Sequence, residues 1–388
     1  MYANCSPESE FKIPDSGPVL SDMLTHVLTI GDEEEIYEKS QEDFLLANPR
    51  FNCIAVNNAN DIFVFDEARV KVYDENGKPK RIIGGPGVGP GEFDARSIIS
   101  ICVGPTGYLT VGERDALNIF SPDGKFLEQN NYQLYKPYEH IFFDLNLRAG
   151  IPSTSVALND TDRILLIEGS KMDGRLSEEY YSVLLYKLGN IYKKIAHYKQ
   201  SNRIISIPYI TTGKEKLGSL MAAMLTNNRL VYTQTYYETY IGEKEAKYNL
   251  FIISLDDFSK STITRNYIPV KFNEKEFPSI PKEEKDKALL GLYEKTIAVY
   301  KERKYKSPLQ NILTDRNFIF AVTFQINEND EIFMDIFDAD TGKYIKSAYF
   351  PFMPTVIKNG YAYQLKRTTE TEFAEIRKYK IDTAVYGK

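Results

Sequence analysis

The feature that most constrains the fold is a pattern that occurs twice between residues 51 and 126, with an offset of 47 residues. The run Ile54–Val56 aligns with Ile101–Val103, and the turn Asn76–Lys78 aligns with Asp123–Lys125, without a gap between them. Each copy has three short apolar runs, and its Gly-Lys turn leads into a fourth. Four strands in a unit of roughly 40–50 residues are typical of a β-propeller blade.

The rest of the chain is long enough to continue this repeat. It has 388 residues with 43% hydrophobic side chains, which supports one large all-β domain over residues 21–388 behind a flexible tether at 1–20. The net charge of −6 argues against a nucleic-acid surface, because such a surface needs an excess of basic residues. No run of 18 apolar residues is present that could span a membrane.

The apolar runs predict six four-stranded antiparallel blades, although five or seven stay open because the middle repeats are weak. Blade 1 is predicted at 51–83 and blade 2 at 98–132. A strand within Met23–Ile30 precedes the first full repeat, and we expect it to complete the last blade, because closure removes open sheet edges. The later strands are predicted at Ser155–Leu158, Arg163–Glu168, Ser182–Leu188, Lys193–Tyr198, Leu217–Leu225, Arg229–Gln234, Leu250–Ser254, Thr262–Tyr267, Phe318–Gln325, Glu331–Phe337, Tyr344–Phe350, Thr355–Ile357, Tyr361–Leu365 and Phe373–Ile381.

Three segments interrupt the strand pattern. Gly169–Glu179 and Tyr236–Tyr248 are polar and are interpreted as insertions between strands. Lys282–Lys304 has helical periodicity instead, with a stripe of Leu289, Tyr293, Ile297 and Tyr300 along one face. We therefore expect one inserted helix that packs on the propeller through this stripe, and a partner-binding helix is the alternative.

The glycine-rich segment Gly84–Phe93 joins the first two blades. A phosphate-binding loop would need Gly-Lys-Ser/Thr at the start of a helix, so that backbone N–H groups and a lysine converge on the phosphates. This segment has no such lysine, two of its residues are prolines, and a strand follows it. We interpret it as a connection of special backbone conformation.

Two blades contain motifs that resemble a known family. Ile62–Asp66, Val70–Tyr73 and Gly77-Lys78, together with the Gly-Pro-Gly-Glu-Phe run at Gly89–Phe93, resemble NHL-type blades. More narrowly, residues 22–385 resemble the six-bladed, NHL-like or TolB-like β-propeller lipoproteins of Bacteroides-type bacteria. Relatives of this architecture include lactonases, lyases and binding modules, so the resemblance implies the fold and leaves the activity open.

The three cysteines receive different interpretations. Cys53 and Cys102 lie in the first strands of consecutive blades and are expected to be buried small hydrophobic side chains, with a disulfide between them left open. Cys5 precedes a short polar stretch, as in a mature bacterial lipoprotein, where this cysteine carries the lipid. That resemblance implies a lipid anchor at Cys5 and a location in the cell envelope, with the cytoplasm as the alternative.

Enzymatic chemistry is the alternative function. A lactonase-like hydrolase or a lyase would hold a divalent ion in the central channel with oxygen ligands such as Asp66, Glu113, Asn57 and Asn60. Asp66 and Glu113, however, occupy the same repeat position, which favours a structural role at the blade corner. The three histidines lack metal-ligand spacing, and no nucleophile elbow is present. We expect no cofactor and no bound metal.

A binding or scaffold role is the interpretation that we favour, with no catalysis. Arg69, Arg114 and Asp115 lie at the polar corners of the first two blades, and Tyr236 and Tyr237 lie in the second insertion. Tyrosine and arginine are enriched at recognition surfaces. The sequence therefore predicts a monomeric propeller that binds a protein, peptide or small molecule at one face through these residues. It predicts no nucleic-acid partner, and membrane contact only through the lipid on Cys5.

Overall fold

A computed structural model of the chain describes residues 11, 18–31, 43–47, 49, 53–94, 98–173, 176–200, 218–276, 280, 287–367 and 373–388. Within these residues the strands form six antiparallel sheets, which are the blades of a six-bladed β-propeller. The chain divides into two compact units. One unit contains Asp22–Lys199 and Phe352–Ala384, and the other contains Met1–Ser21, Gln200–Pro351 and Val385–Lys388.

The first of these units contains four blades. Blade 1 consists of β2 (Ile54–Val56), β3 (Ile62–Asp66), β4 (Arg69–Tyr73) and β5 (Pro79–Ile83). Blade 2 consists of β6 (Ile98–Val103), β7 (Leu109–Glu113), β8 (Ala116–Phe120) and β9 (Phe126–Asn131). Helix α1 (Glu139–Asp144) leads to blade 3, which consists of β10 (Arg148–Ala157), β11 (Arg163–Asp173), β12 (Leu176–Leu188) and β13 (Ile191–Lys199). Blade 6 consists of β1 (Leu24–Ile30), β23 (Val356–Lys358), β24 (Tyr361–Lys366) and β25 (Glu375–Ile381).

The second unit contains the other two blades. Blade 4 consists of β14 (Leu220–Met224), β15 (Arg229–Gln234), β16 (Thr239–Ile241), β17 (Ala246–Ser254) and β18 (Lys260–Asn266). A 3-10 turn (Glu274–Glu276) and helix α2 (Lys287–Glu302) follow. Blade 5 consists of β19 (Leu309–Asp315), β20 (Phe318–Ile326), β21 (Ile332–Asp338) and β22 (Lys343–Phe350). A C-terminal 3-10 turn (Thr383–Tyr386) is the last element of the described chain.

Strand β3 of blade 1 is apolar on both faces, which explains why Ile62–Phe65 is a continuous hydrophobic run. Side chains alternate between the two faces of a strand. Phe63 and Phe65 pack into the core shared with blade 2, whereas Ile62 and Val64 pack into the core shared with blade 6. A blade of this kind is stable only when a neighbouring blade covers each face.

The N-terminal strand completes the last blade, as the sequence predicted. β1 pairs antiparallel with β25 from Leu24 opposite Ile381 to Ile30 opposite Ile376, and the sheet order is β1-β25-β24-β23. The backbone N–H of Asp382 also donates to the carbonyl of Met23 at 2.9 Å. Strands from both ends of the chain therefore share one blade.

Two predicted insertions prove to contain strand. Gly169–Glu179 extends β11 and β12 beyond the blade, with Ser170 opposite Tyr180 and Lys171 opposite Glu179. Tyr236–Tyr248 contains β16, which gives blade 4 a fifth strand, because Thr239–Ile241 pairs with the first residues of β17. Polar composition misled the prediction, since exposed strand residues such as Lys171 and Tyr240 do not need the alternating apolar pattern of a core strand.

The helices differ in number from the prediction. α2 falls within the predicted Lys282–Lys304, and Tyr293 and Tyr300 on its apolar stripe are buried, whereas the side chain of Leu289 is not described. The short helix α1 and strand β19 were not predicted. α1 is held by Phe142, which is buried in the core of blade 3. It was missed because six residues are too few for a periodic signal.

The glycine-rich connection carries an apolar side chain into the core. Phe93 is buried between blades 1 and 2, against Phe65 and Phe120 at ring-centroid distances of 5.4 Å and 5.7 Å. A Cβ atom on Gly84, whose φ is +70°, would lie 2.2 Å from the ring of Phe93. Glycine is therefore required at this position, which agrees with the predicted special conformation.

A buried charge network joins blades 4 and 5. The carboxylate of Asp335, 2% exposed, accepts hydrogen bonds from Tyr248 Oη at 2.9 Å, Ser347 Oγ at 2.7 Å and Arg265 Nη2 at 3.1 Å. The Arg265 guanidinium also lies 3.6 Å from the ring centroid of Tyr344. Burial and the charge of Asp335 raise the pKa of Tyr248 well above its ordinary value, so the phenol stays protonated and donates.

Removing the charge of Asp335 should destabilise this part of the protein. Asp335→Asn keeps the shape but leaves the guanidinium of Arg265 buried without its counter-ion, which costs roughly 3–5 kcal/mol of unfolding free energy. Urea unfolding measures the loss. Asp330→Asn, at an exposed loop position, is the matched control and should change stability by less than about 0.5 kcal/mol. A loss below about 1 kcal/mol in Asp335→Asn would contradict this account of the network.

Candidate functional site

The two predicted tyrosines lie together on the turn between β15 and β16. The side-chain carbonyl of the buried Gln234 accepts hydrogen bonds from the backbone N–H groups of Tyr236 at 2.7 Å and Tyr237 at 3.0 Å, which fixes the turn. Their rings meet edge to face with centroids 5.0 Å apart. The two residues stay 46% and 44% exposed, so a rigid turn presents aromatic surface to solvent.

The chain that leaves α2 forms the opposite wall. Residues 304–306 run antiparallel to 270–272, with a bridge between Tyr305 and Lys271. The backbone N–H of Lys306 donates to the carbonyl of Val270 at 2.8 Å, and the backbone N–H of Phe272 donates to the carbonyl of Lys304 at 3.3 Å. The position of this wall is therefore set by backbone hydrogen bonds.

Arg303 connects the two walls. Its guanidinium carbon lies 3.9 Å from the ring centroid of Tyr236, which is the geometry of a cation–π contact. Burial lowers the pKa of Arg303, and the neighbouring Tyr236, Glu302 and Tyr237 act in the opposite direction. Because the ordinary pKa of arginine lies far above neutrality, the group remains a cation that has lost part of its hydration.

A cavity of about 280 Å³ lies between these walls. It is lined by Thr235, Tyr236, Thr239, Ile241, Arg303, Lys304, Tyr305, Lys306 and Ser307. Three lining side chains are cationic and three are large and apolar or aromatic. Lys306 pairs with Glu276 at 2.9 Å, so one acid offsets part of the positive charge. We call this cavity the Tyr236 pocket. Its chemistry suits a ligand that has an anionic group beside a flat apolar part.

The other predicted binding residues belong to the other compact unit. Arg69 lies in β4 and pairs with Asp43 at 2.8 Å. Arg114 is exposed on the turn between β7 and β8, and the carbonyl of Asp115 beside it accepts the backbone N–H of Tyr132 at 3.0 Å. Of the five predicted residues, the described contacts therefore bring together only Tyr236 and Tyr237. A ligand role for Arg69, Arg114 and Asp115 stays a prediction.

The repeated corner carboxylates make the same hydrogen bond in both blades. Asp66 accepts the backbone N–H of Ala47 at 2.8 Å, and Glu113 accepts that of Asp94 at 3.2 Å. Donors and acceptors are both related by the 47-residue offset, so the repeat begins before the first strand of each blade. Asp66 also pairs with the buried Lys71 at 2.9 Å. These contacts give both carboxylates a structural role at the blade corner.

The cysteines in the described chain are free thiols. Cys53 is buried, and burial together with the nearby Cys53 raises the pKa of the Cys102 thiol to about 12. At neutral pH this thiol is therefore protonated and unreactive. Cys5, the predicted lipid anchor, lies outside the described residues.

Within the described ranges, no group of three or more His, Cys, Asp and Glu side chains is placed to hold a metal ion. Across the same ranges, no helix is long and apolar enough to cross a membrane.

Sequence reasoning missed the wall that follows α2. The predicted helical segment Lys282–Lys304 includes Arg303 and Lys304 and assigns them no binding role. The stretch from Lys301 to Lys306 reads Lys-Glu-Arg-Lys-Tyr-Lys, in which cations surround an aromatic residue. That composition was the available signal, but only the tertiary structure brings it opposite Tyr236.

Comparison with known proteins finds solved structures of low identity and low TM-score. Neither a protein-family profile nor a curated protein sequence matches this chain. Similar solved structures include a chain of the mitotic checkpoint complex, with 9% identity, TM-score 0.40 and 98% of each chain covered. The Pan2 WD40 domain of Neurospora crassa has 8% identity and TM-score 0.38, with 94% of this chain and 98% of that domain covered.

A third similar structure is a gluconolactonase from Xanthomonas campestris, with 13% identity and TM-score 0.39 over 95% of this chain and 99% of that one. Such low identities and scores carry no argument about activity. The assignment of the fold rests on the six antiparallel sheets, and the candidate site rests on its own geometry.

The corner carboxylate of blade 2 should make stability depend on pH. Burial raises the pKa of Glu113 above its ordinary value of 4.5, with the charge of Asp94 acting in the same direction and its N–H in the opposite one. The folded state therefore holds the proton more tightly than the unfolded state. Stability should fall as pH rises from about 4.5 through the folded pKa. Glu113→Gln removes this slope, which urea unfolding at several pH values measures.

Glu128 provides a control of opposite sign. Burial acts to raise the pKa of Glu128, but hydrogen bonds from Asn130 and Arg163 and the charge of Arg163 outweigh it, so the pKa is lowered. Glu128 therefore adds stability above its ordinary pKa, and this stability is lost as pH falls. Glu128→Gln should therefore remove a contribution to stability that increases as pH rises. The same slope in both variants would contradict the assignment.

Proposed function

We propose that this chain is a binding β-propeller whose Tyr236 pocket takes a ligand with an anionic group beside a flat apolar part, either a small molecule or part of a peptide. The observation that carries the proposal is the contact of the Arg303 guanidinium with the ring of Tyr236, at 3.9 Å on the wall of the cavity. A partly dehydrated cation next to an exposed aromatic face gains from binding an anion and from covering the ring. No catalytic step is part of this proposal.

The hydrogen bonds that hold the walls of the pocket support this role. Its walls are held by the Gln234 side chain on one side and by the backbone hydrogen bonds of residues 304–306 on the other. A site that is formed before the ligand arrives loses less conformational entropy on binding. Exposed Tyr237 and Tyr240 extend the aromatic surface beyond the cavity, which suits a ligand larger than the cavity itself.

The pocket cations should control the binding of an aromatic anion. The probe is 1-anilinonaphthalene-8-sulfonate, followed by its fluorescence, with displacement by benzoate, benzamide and acetate. We expect benzoate to displace it better than benzamide, which lacks the charge, or acetate, which lacks the ring. Arg303→Gln should weaken probe binding about tenfold, equivalent to about 1.4 kcal/mol, because the anion loses its main counter-ion.

Exposed cations elsewhere provide the matched controls for this measurement. Arg148→Gln and Lys194→Gln each remove one positive charge from an exposed position on a strand, as Arg303→Gln removes one from the pocket. Each variant is first checked for an unchanged unfolding midpoint, because partly unfolded proteins also bind this dye. Equal weakening in Arg303→Gln and the controls would overturn the proposal.

We further propose that the protein belongs to the propeller lipoproteins of the cell envelope and carries lipid on Cys5. This rests on the sequence resemblance and on the polar residues that follow Cys5. Mass spectrometry of the protein from its native cells is the test. We expect the peptide that begins at Cys5 to carry the added mass of acyl chains. An unmodified thiol at Cys5 would contradict both the anchor and the location.

A further inference from the structure

Strand β16 forms part of one wall of the Tyr236 pocket and stands at the end of its sheet. Among the described strands the order is β14-β15-β17-β16, and β16 pairs with β17 from Thr239 opposite Tyr248 to Ile241 opposite Ala246. Thr239 and Ile241 also line the cavity. The edge of β16 that is turned away from β17 therefore lies at the cavity.

The hydrogen bonds of β16 show which of its main-chain groups face that edge. The carbonyl of Glu238 accepts the backbone N–H of Asn249 at 2.9 Å, and the backbone N–H of Gly242 donates across the hairpin at 2.8 Å. In an antiparallel pair, residues that bond to the partner strand alternate with residues whose N–H and C=O groups point away from it. The even-numbered positions face β17, so Thr239 and Ile241 direct these groups to the outer edge.

These outward groups are unpaired within the described part of the chain. No hydrogen bond from those residues reaches the main-chain N–H or C=O of Thr239 or Ile241. Thr239 does donate to the carbonyl of Thr235 at 2.7 Å, but through its side-chain Oγ1. Ile241 is 39% exposed. A strand edge with free N–H and C=O groups is a surface with which a further strand can pair.

The surroundings of this edge differ on the two faces of β16. The side chains of Thr239 and Ile241 share one face, and that of Tyr240, 56% exposed, lies on the other. Tyr305 on the opposite wall of the cavity is held by the buried Phe11, whose ring meets it edge to face with centroids 5.8 Å apart. A strand added to β16 would therefore send alternate side chains into a cavity that is already formed.

We propose that the ligand of the Tyr236 pocket is an extended peptide segment of another protein, which adds a strand to the outer edge of β16. This inference rests on the proposed function of the pocket and names a peptide, and not a small molecule, as the ligand class. The N–H and C=O groups of Thr239 and Ile241, whose α-carbons are about 6.8 Å apart along the strand, fix the peptide main chain. An acidic and an aromatic side chain two residues apart in the peptide enter the cavity.

Removing the outward N–H of Ile241 should weaken peptide binding. The probe is acetyl-Thr-Phe-Thr-Glu-Thr-amide, titrated by calorimetry, and displacement of anilinonaphthalene sulfonate locates it in the pocket. Ile241→Pro removes the N–H and Ile241→Ala keeps it, although both shorten the side chain. We expect Kd to be at least about fivefold higher in Ile241→Pro than in Ile241→Ala, the effect of one lost hydrogen bond. Proline is accepted on a strand edge where the N–H has no partner, and matching urea midpoints verify this.

A second measurement uses the unchanged protein. Replacing one amide of the probe by an ester removes an N–H group with little change of shape, and the ester is placed at Phe, at the middle Thr and at Glu in turn. Only every second N–H of a paired strand faces its neighbour. The esters at Phe and Glu should therefore give similar Kd values, which differ about fivefold from that of the ester at the middle Thr.

The outcomes separate this inference from the proposed function. If Arg303→Gln behaves like its charge controls, the proposed function itself fails. If Arg303→Gln weakens dye binding but the probe does not displace the dye, or the three esters bind equally and Ile241→Pro matches Ile241→Ala, the pocket takes a small anion and no strand. A dimer of the free protein that Ile241→Pro abolishes in sedimentation would also overturn the inference, because a second copy would then occupy the edge.

Discussion

The fold depends on a simple constraint, which is that a central strand such as β3 is apolar on both faces. In blade 1 the side chains of β3 alternate between two cores, with Phe63 and Phe65 on one side and Ile62 and Val64 on the other. Neither core exists without a neighbouring blade. Burial at roughly 25 cal/mol per Å² of apolar surface is therefore gained only when blades are packed in series, and no single blade is an independent folding unit.

The connections between blades take part in the same packing. Phe93 and Leu46 are related by the 47-residue offset, and both are fully buried apolar side chains that precede the first strand of a blade. The next residue in each case, Asp94 or Ala47, donates its backbone N–H to a corner carboxylate. Each repeated unit thus contains an apolar side chain that fills the space between two blades. It also contains a carboxylate whose hydrogen bond holds the backbone of the residue after that side chain. The carboxylates that suggested a metal site have this structural task.

The Tyr236 pocket has a different origin, because it is built from what departs from the repeat. β16 is a strand added to blade 4, and Arg303 to Ser307 follow a helix that no repeated blade contains. Tyr305 packs against the core of blades 4 and 5, whereas Arg303 and Lys306 line the cavity, so the composition at those two positions is free to serve recognition. The cations there are partly dehydrated, since Arg303 lies against a tyrosine ring and Lys306 is paired with Glu276. In propellers and other repeated scaffolds, the functional residues are added to a common fold and are not dictated by it.

The sequence by itself determined the blade repeat, the strand Met23–Ile30 in the last blade and the helix near 282–304, whereas the ligand role of Tyr236 and Tyr237 stays a prediction. These follow from local rules, because strand alternation, glycine turns and helical periodicity are written in consecutive residues. Only the tertiary structure placed residues 303–307 opposite Tyr236 and Phe11 against Tyr305. Contacts between segments tens or hundreds of residues apart depend on how blades and insertions pack, and no local pattern in the chain encodes that packing.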